Sequence, residues 1–345
     1  LPPDRTMRLR FIALLALVLA LPAMAQDPPQ QATNLEAITV QGQQPGPGLW
    51  KVTKNQHTMW ILGLVAPLPR DIQWHSADVE NAVANSQVVL QPPSMSLKPK
   101  VGWFGKLMLL PTLINARDQP DDGNLKDAVP ASDYALWLKL KEEYIGKDKK
   151  IENYRPIFAA LKLYNEAVKG IGLRQKTNIA GTVDDLAKTH GVEVQQVQYE
   201  VEIAEPRDAV KQFKASTLDD VKCFHQTLDN IDKRLGTLTV RANAWATGDV
   251  PALRKYLVQD RWDICLNTVA EAGIAKRLGI NDMLTKLRTL WLSYAIQAIT
   301  NHRQSFAMLP MEDLIDPNGS LSELRKRGYT VVAPDDDDAT TPTSP

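Results

Sequence analysis

Residues 48–67 read GLWKVTKNQHTMWILGLVAP, two short runs rich in Trp, Val, Ile and Leu on either side of the polar pair Asn55-Gln56. That pattern predicts two paired strands, the second entering a buried sheet. Gly63 falls at the end of the second run, where a residue without a side chain lets the backbone turn sharply or approach another group closely. A site can be built there. Pro67 and Pro69 predict an extended loop through Asp71, Trp74 and His75. Ser76 then reads as the N-cap of a helix reaching Asn85, with Asp78 and Glu80 in its first turn. Residues 87–90 read as the next strand, so the chain opens β-β-α-β.

Helical spacing dominates the middle of the chain. The apolar run 101–114 fits either a buried helix or a lid over the sheet, and 118–123 reads as a loop. Tyr134, Leu136, Trp137, Leu140 and Tyr144 share one helical face, and 153–170 repeats the pattern and closes on Gly170. The aromatic residues on these faces read as core. Residues 179–189 predict a helix capped by Gly191, and 192–199 alternate as a strand. Ser216 with Asp219 resembles a capping box with aspartate in the usual glutamate's place. Leu218, Val221, Cys223, Leu228, Ile231 and Leu235 continue it as a long amphipathic helix toward Trp245. Further helices follow over 253–258 and 280–300, then a strand over 306–309, a helix over 321–327 and a strand over 329–332. The expected class is α/β (α+β), a central mixed β-sheet built from N- and C-terminal β/α units with a large, mainly helical middle region.

The 345 residues include 44% apolar ones, enough for a globular core, and 40 basic residues balance 40 acidic ones. That balance argues against nucleic acid as a partner, which would need a concentrated basic face. Met7-Arg8-Leu9-Arg10, the apolar run 11–21 and Ala23-Met24-Ala25 have the order of an export leader. Residues 1–25 are therefore assigned to upstream residues and a signal peptide, removed from Met7 through Ala25. No cysteine follows the cleavage site, which argues against a lipoprotein, and no later run is long enough to span a membrane. The expected location is periplasmic or secreted. Cys223 and Cys265 are the two cysteines, and in an oxidising compartment they permit a disulfide, the alternative being two buried thiols. Residues 26–47, rich in Gln, Pro and Gly, read as a disordered leader. Within it, 35–40 (LEAITV) looks like the short box that pairs outer-membrane receptors with an energising partner, or is an extended linker. The folded unit is expected over 48–333, and 334–345 as a disordered acidic tail in which calcium binding is a remote alternative.

The LWKV strand, the apolar strand ending in glycine, Ala244-Trp245-Ala246-Thr247-Gly248-Asp249 and Arg327-Gly328-Tyr329-Thr330-Val331 together resemble the TraB/GumN family, which includes the Tiki-type metalloproteases. The resemblance spans roughly 48–332 and implies a metal site in its catalytic members, with Gly-x-x-His ending the second strand. Here that place holds Gly63-Leu64-Val65-Ala66. A family carboxylate is expected after the third strand, where Gln91-Pro92-Pro93 stands, and a glutamate after the middle strand, a place for Glu200 or Glu202. The family's second histidine motif aligns with Pro310-Met311-Glu312-Asp313-Leu314, followed by Pro317-Asn318-Gly319. The junction around Gly248 implies an architectural role, glycine ending one helix and aspartate capping the next.

Gly63, Ala66, His75, Gln91, Glu200 and Asp313 thus outline a degenerate pocket. A hydrolytic metal site needs several converging ligands and an open position for water, and one aspartate does not supply them. The chain's histidines, His57, His75, His190, His225 and His302, show no metal-binding spacing, although a rearranged site drawing on His57, His75, Asp71 and Asp313 is an alternative. No nucleophile elbow, P-loop or dinucleotide fingerprint is present. The expected function is an exported binding protein without a cofactor, whose partner is an envelope protein or peptide. The alternatives are a hydrolase or protease using a divalent metal through substituted ligands, and a structural component of the envelope or of polysaccharide export.

Overall fold

A computed structural model describes residues 46–336 except 73, 75, 76, 104, 106–110, 112–115, 216–219, 258–264 and 266–272. His75, Ser76, the export leader, the LEAITV segment, Ser216 with Asp219, most of 101–114 and the end of the acidic tail lie outside the described residues.

β1 (Leu49–Lys54) and β2 (His57–Leu64) form an antiparallel hairpin whose register runs from Leu49 opposite Leu62 to Lys54 opposite His57. Asn55 and Gln56 both have positive φ, 49° and 67°, the conformation a two-residue hairpin turn requires. The chain makes a short strand β3 (Leu68–Pro69), then α1 (Ala77–Ala84), and returns as β4 (Val88–Leu90). The strand that lies beside both β2 and β4 comes from the far end of the sequence. It is β9 (Gln304–Pro310), parallel to each, with Gly63 opposite Leu309 and Leu90 opposite Ala307. Ser305 through Leu309 are all buried, as expected of a strand covered on both faces. β7 (Glu193–Gln195) extends the sheet beyond β4, and β10 (Thr330–Val332) pairs with β1 at the other edge. The sheet order is β10-β1-β2-β9-β4-β7, and β1 alone runs against the rest.

The helical middle of the chain packs beside this sheet. After α2 (Leu125–Ala128) and α3 (Ala131–Tyr144), α4 (Pro156–Gly170) starts on proline, which suits a first turn whose N–H has no partner to lose. α4 buries Ile157, Ala160, Leu163, Tyr164, Ala167 and Val168. β6 (Leu173–Arg174) pairs with β3, and α5 (Ile179–Thr189) has the predicted bounds, with Gly191 in the left-handed region. Next come α6 (Pro206–Ala215), not anticipated from the pattern, and α7 (Val221–Thr247), whose 27 residues extend about 40 Å. Gly248 (φ 73°) ends α7, and the Asp249 carboxylate accepts from the Ala252 N–H at 2.9 Å to start α8 (Val250–Leu257). This is the junction expected from the sequence. α9 (Gly273–Arg277) and α10 (Met283–Asn301) lead into β9; α11 (Met311–Ile315) and α12 (Ser320–Lys326) link it to β10. The fold is α/β, a mixed six-stranded sheet with a helical middle region.

Two local expectations are corrected. Residues 192–199 do not form one strand: β7 joins the main sheet, whereas β8 (Gln198–Ile203) pairs in parallel with β5 (Ser94–Pro99) in a separate two-stranded sheet. The alternation slips phase between Val194 and Val197, three residues apart rather than two. Gly170 ends its helix, but not as a left-handed cap. It lies in the last turn of α4, and the left-handed residue is Gly172 (φ 80°).

Candidate functional site

β2, β4 and β9 all point their C-terminal ends to the same side of the sheet, the side on which open α/β sheets place their ligand crevices. A cavity of about 740 Å³ opens there, within the size range of small-ligand sites. Its floor is made by the strand ends themselves: Ala66 just past β2, Pro93 just past β4, and Leu309 and Pro310 of β9. Aliphatic side chains from three helices form one wall: Leu161 of α4, Leu257 of α8, and Leu284 and Leu287 of α10. Arg241, Arg288, Glu312, Asp313, Asp316 and Ser320 form the polar wall.

The end of β2 is held from α7. Trp245 donates its indole N–H to the Gly63 carbonyl at 2.6 Å, and the Arg241 guanidinium donates to the Ala66 carbonyl. These two residues are four apart and lie on one face of α7, so a single helix fixes the path of the chain past the strand end. Trp74 packs edge-on against Trp245 at 5.6 Å between ring centres. Gly63 is needed because a Cβ there would sit 2.4 Å from Met311 Cε.

Asp313 is engaged on both carboxylate oxygens. Oδ1 accepts from Arg288 Nε at 2.8 Å, and Oδ2 from the Ser320 backbone N–H at 3.3 Å. Arg288 also donates to Asp316 Oδ2 at 3.0 Å and to the Asn318 carbonyl at 2.8 Å. The turn 316–319 folds tightly enough that a Cβ at Gly319 would fall 2.0 Å from the Asp313 carbonyl oxygen. The Pro-Asn-Gly sequence therefore builds a ring of oxygens, and the ring is filled by a guanidinium. Arg288 is two-thirds covered and Asp313 more so, with 32% and 17% of their side chains exposed, which shields the pair from the screening that weakens surface ion pairs.

The other expected residues are dispersed. Gln91 is buried, extends the β4–β7 ladder through its backbone N–H, and donates its side-chain amide to Asp184 of α5. Burial pushes the Asp184 carboxyl above the ordinary value, against the opposing effect of that hydrogen bond. Gln91 does not line the cavity, although Pro93, two residues on, does. Glu200 is not brought to the cavity either. It lies on β8, half-exposed and paired with Lys98, while Glu202 pairs with Lys100 at 2.7 Å. Of the residues in the rearranged-site alternative, His57 is not brought to the cavity. His57 opens β2 at the end of the sheet opposite the cavity, where its Nδ1 lies 2.5 Å from the Ile299 carbonyl oxygen.

Among the described residues, the donor set at the strand ends does not make a metal-hydrolase site. Ala66 offers only a backbone carbonyl already used by Arg241, and the nearest candidate ligand, Asp313, is neutralised by a cation of the protein itself. Among the described residues no group of three or more His, Cys, Asp or Glu is arranged to hold a metal ion. Arg288, Asp316, Ser320, Arg241 and Trp245 were not singled out from the sequence as site residues. Only Pro317-Asn318-Gly319 and the AWATGD junction signalled that the chain turns near them.

Cys223 of α7 and Cys265 are joined by a disulfide. Among the described residues no helix is long and apolar enough to cross a membrane. Comparisons with curated proteins and with solved structures return no match. A family model matches residues 48–333, from the start of the β1–β2 hairpin to the end of β10, and by that match the chain belongs to the TraB/PrgY/gumN family.

Proposed function

We propose that this chain is an exported member of its family that has given up metal chemistry and uses the cavity at the strand ends to bind an envelope protein or peptide. The observation that carries this reading is the Asp313–Arg288 pair at the position where the family resemblance implies a second histidine. A carboxylate that already holds a guanidinium in two-thirds-covered surroundings has no strong attraction left for a divalent ion. The aliphatic wall supports binding, since apolar surface beside a few placed polar groups is the usual make-up of a ligand site. Export is supported by the charged, apolar and Ala-x-Ala order of residues 7–25 and by the disulfide, which persists in oxidising compartments.

The purified mature protein, offered zinc, cobalt and manganese, is expected to retain no stoichiometric metal and to hydrolyse neither peptides nor esters. Metal-dependent turnover that disappears in Asp313→Ala would overturn the reading and restore the hydrolase. Mass spectrometry of an envelope fraction is expected to find a chain starting at Gln26; full-length protein confined to the cytoplasm would remove the export half.

A further inference from the structure

The β5–β8 ribbon is separate from the main sheet, and its β5 edge is open. Ser94 donates its backbone N–H to the Val197 carbonyl at 3.0 Å, and Lys100 to the Ile203 carbonyl at 2.8 Å. Along a strand the N–H and C=O of one residue point to the same side, and successive residues alternate sides. Ser94, Ser96 and Lys98 therefore turn their backbone groups toward β8, while Met95 and Leu97 turn theirs outward. Among the described residues nothing pairs with that outer edge. Pro99 closes it, since proline has no N–H to offer and its carbonyl already accepts from Val101 at 2.8 Å. What is left is one donor and one acceptor on each of Met95 and Leu97. The side chains of these two residues share a face of the ribbon with Tyr199 and Val201 of β8, and they are 40% and 48% exposed. An edge of this kind is a template for another strand, and a lone two-stranded ribbon is the least stable form of sheet.

We propose that this edge is the contact between two copies of the chain, β5 of each running antiparallel to β5 of the other about a two-fold axis at Ser96. A two-fold axis normal to a sheet keeps every side chain on its own face, so a residue can stand opposite only one an even number of positions away in the sequence. Centring on Ser96 sets Met95 opposite the second copy's Leu97 and Leu97 opposite its Met95, and every outward N–H and C=O on both strands is then paired. Centring on Leu97 instead sets Met95 opposite Pro99, which has nothing to exchange. The small Ser96 falls at the axis, where a non-hydrogen-bonded pair brings the two backbones closest. On the apolar face, the row Tyr199 and Met95 runs on into the second copy's Leu97 and Val201. On the other face Ser94 stands opposite the second copy's Lys98, whose charge is already met by Glu200 of its own molecule. The outer edge of β8 offers no equivalent. Its outward residues are Gln198, Glu200 and Glu202, and centring the same operation on Glu200 or Val201 sets glutamate opposite glutamate. A second copy suits the β5 edge better than a loose peptide because its strand is already ordered: so few hydrogen bonds offset little of the entropy a free peptide loses on binding. The contact is small, so the dimer is weak and reversible.

Sedimentation equilibrium of the full mature protein, from micromolar to hundreds of micromolar, provides the test. The mean mass is expected to rise from that of one chain toward twice that value. Leu97→Pro removes an outward N–H and leaves the bonds to β8 in place; the variant should keep the parent's circular dichroism and the mass of one chain at every concentration. Introduced cysteines report the register, because Cys223 and Cys265 are bonded to each other and leave no free thiol. Ser96→Cys at the axis lies within disulfide reach of its copy, about 4.5 Å between Cα atoms, and should run as a covalent dimer on a non-reducing gel. Leu97→Cys, which stands opposite Met95 rather than opposite itself, should not. A protein that stays monomeric throughout, a dimer that survives Leu97→Pro, or Leu97→Cys linking as readily as Ser96→Cys would each overturn the assignment. So would a monomer that binds a labelled, end-blocked peptide of residues 94–99, since the edge would then serve an extended partner instead. Should Leu97→Pro fail to fold, the two cysteine variants decide the register and the contact without it.

Discussion

Gly63 and Met311 approach so closely that even a methyl group at position 63 has no room: its nearest neighbours would be Met311 Cε at 2.4 Å, Met311 Sδ at 2.9 Å and Leu314 Cδ1 at 3.0 Å. Met311 is itself buried, so its side chain can move only by disturbing the core. Gly63→Ala should cost about 1–3 kcal/mol in urea denaturation, the usual range for overpacking. The penalty should be smaller when measured in a Met311→Ala background, because the two positions share one volume. A different residue-scale effect belongs to Asp184. Its folded pKa is raised, so the folded protein holds that proton more tightly than the unfolded chain does. Stability from this group therefore falls as pH rises from the ordinary value of 3.8 through the raised one, and the deficit persists at neutral pH. Asp184→Asn keeps an acceptor for Gln91 and removes the partly buried charge. The variant should be more stable than the parent at neutral pH, and its advantage should vanish in acid, as equilibrium unfolding across the pH range would reveal.

At the scale of elements, the disulfide is the clearest constraint. It joins α7 to Cys265, 42 residues away in sequence, and closing a loop of that size stabilises by roughly 4 kcal/mol in the chain-entropy model. Denatured, unreduced protein should show no titratable thiol, and Cys223→Ala with Cys265→Ala should lower the urea midpoint. The spacing of two cysteines permitted this bond without requiring it. The hairpin, α5, the AWATGD junction and the β9 to β10 unit were all legible because each is specified locally, by a turn residue, a cap or an unbroken apolar run. β5 and β8 were not. Ser94–Pro99 exposes Met95 and Leu97 and becomes a strand only because β8 lies beside it. The Arg288 cage escaped notice for the same kind of reason: its parts come from α10 and from α11 with the turn that follows it, and nothing within either stretch announces the other. Ala66 and Asp313 could be placed at the cavity because they sit at strand ends that the apolar runs defined. Glu200 could not, since the phase slip at Val197 put it in another sheet.

For the whole molecule, the sheet order matters most. β9 lies between β2 and β4, so the N-terminal β-β-α-β unit lacks its central neighbour until the last eighth of the chain arrives. Contacts this distant in sequence slow folding, and a fragment ending at residue 302 should lack a cooperative urea transition altogether. The same late arrival brings Asp313, Asp316 and Asn318 to Arg288, which the preceding helix α10 already carries. A metalloprotein must acquire its ion after synthesis, from whatever supply surrounds it, and can acquire the wrong one. Here the positive charge at Asp313 is written in the codon for Arg288 and reaches the cage in fixed one-to-one ratio with it. On the proposed reading there is no loading step to fail. A strong chelator present throughout refolding should change neither the yield nor the melting temperature, and the protein should work equally well where metal ions are scarce.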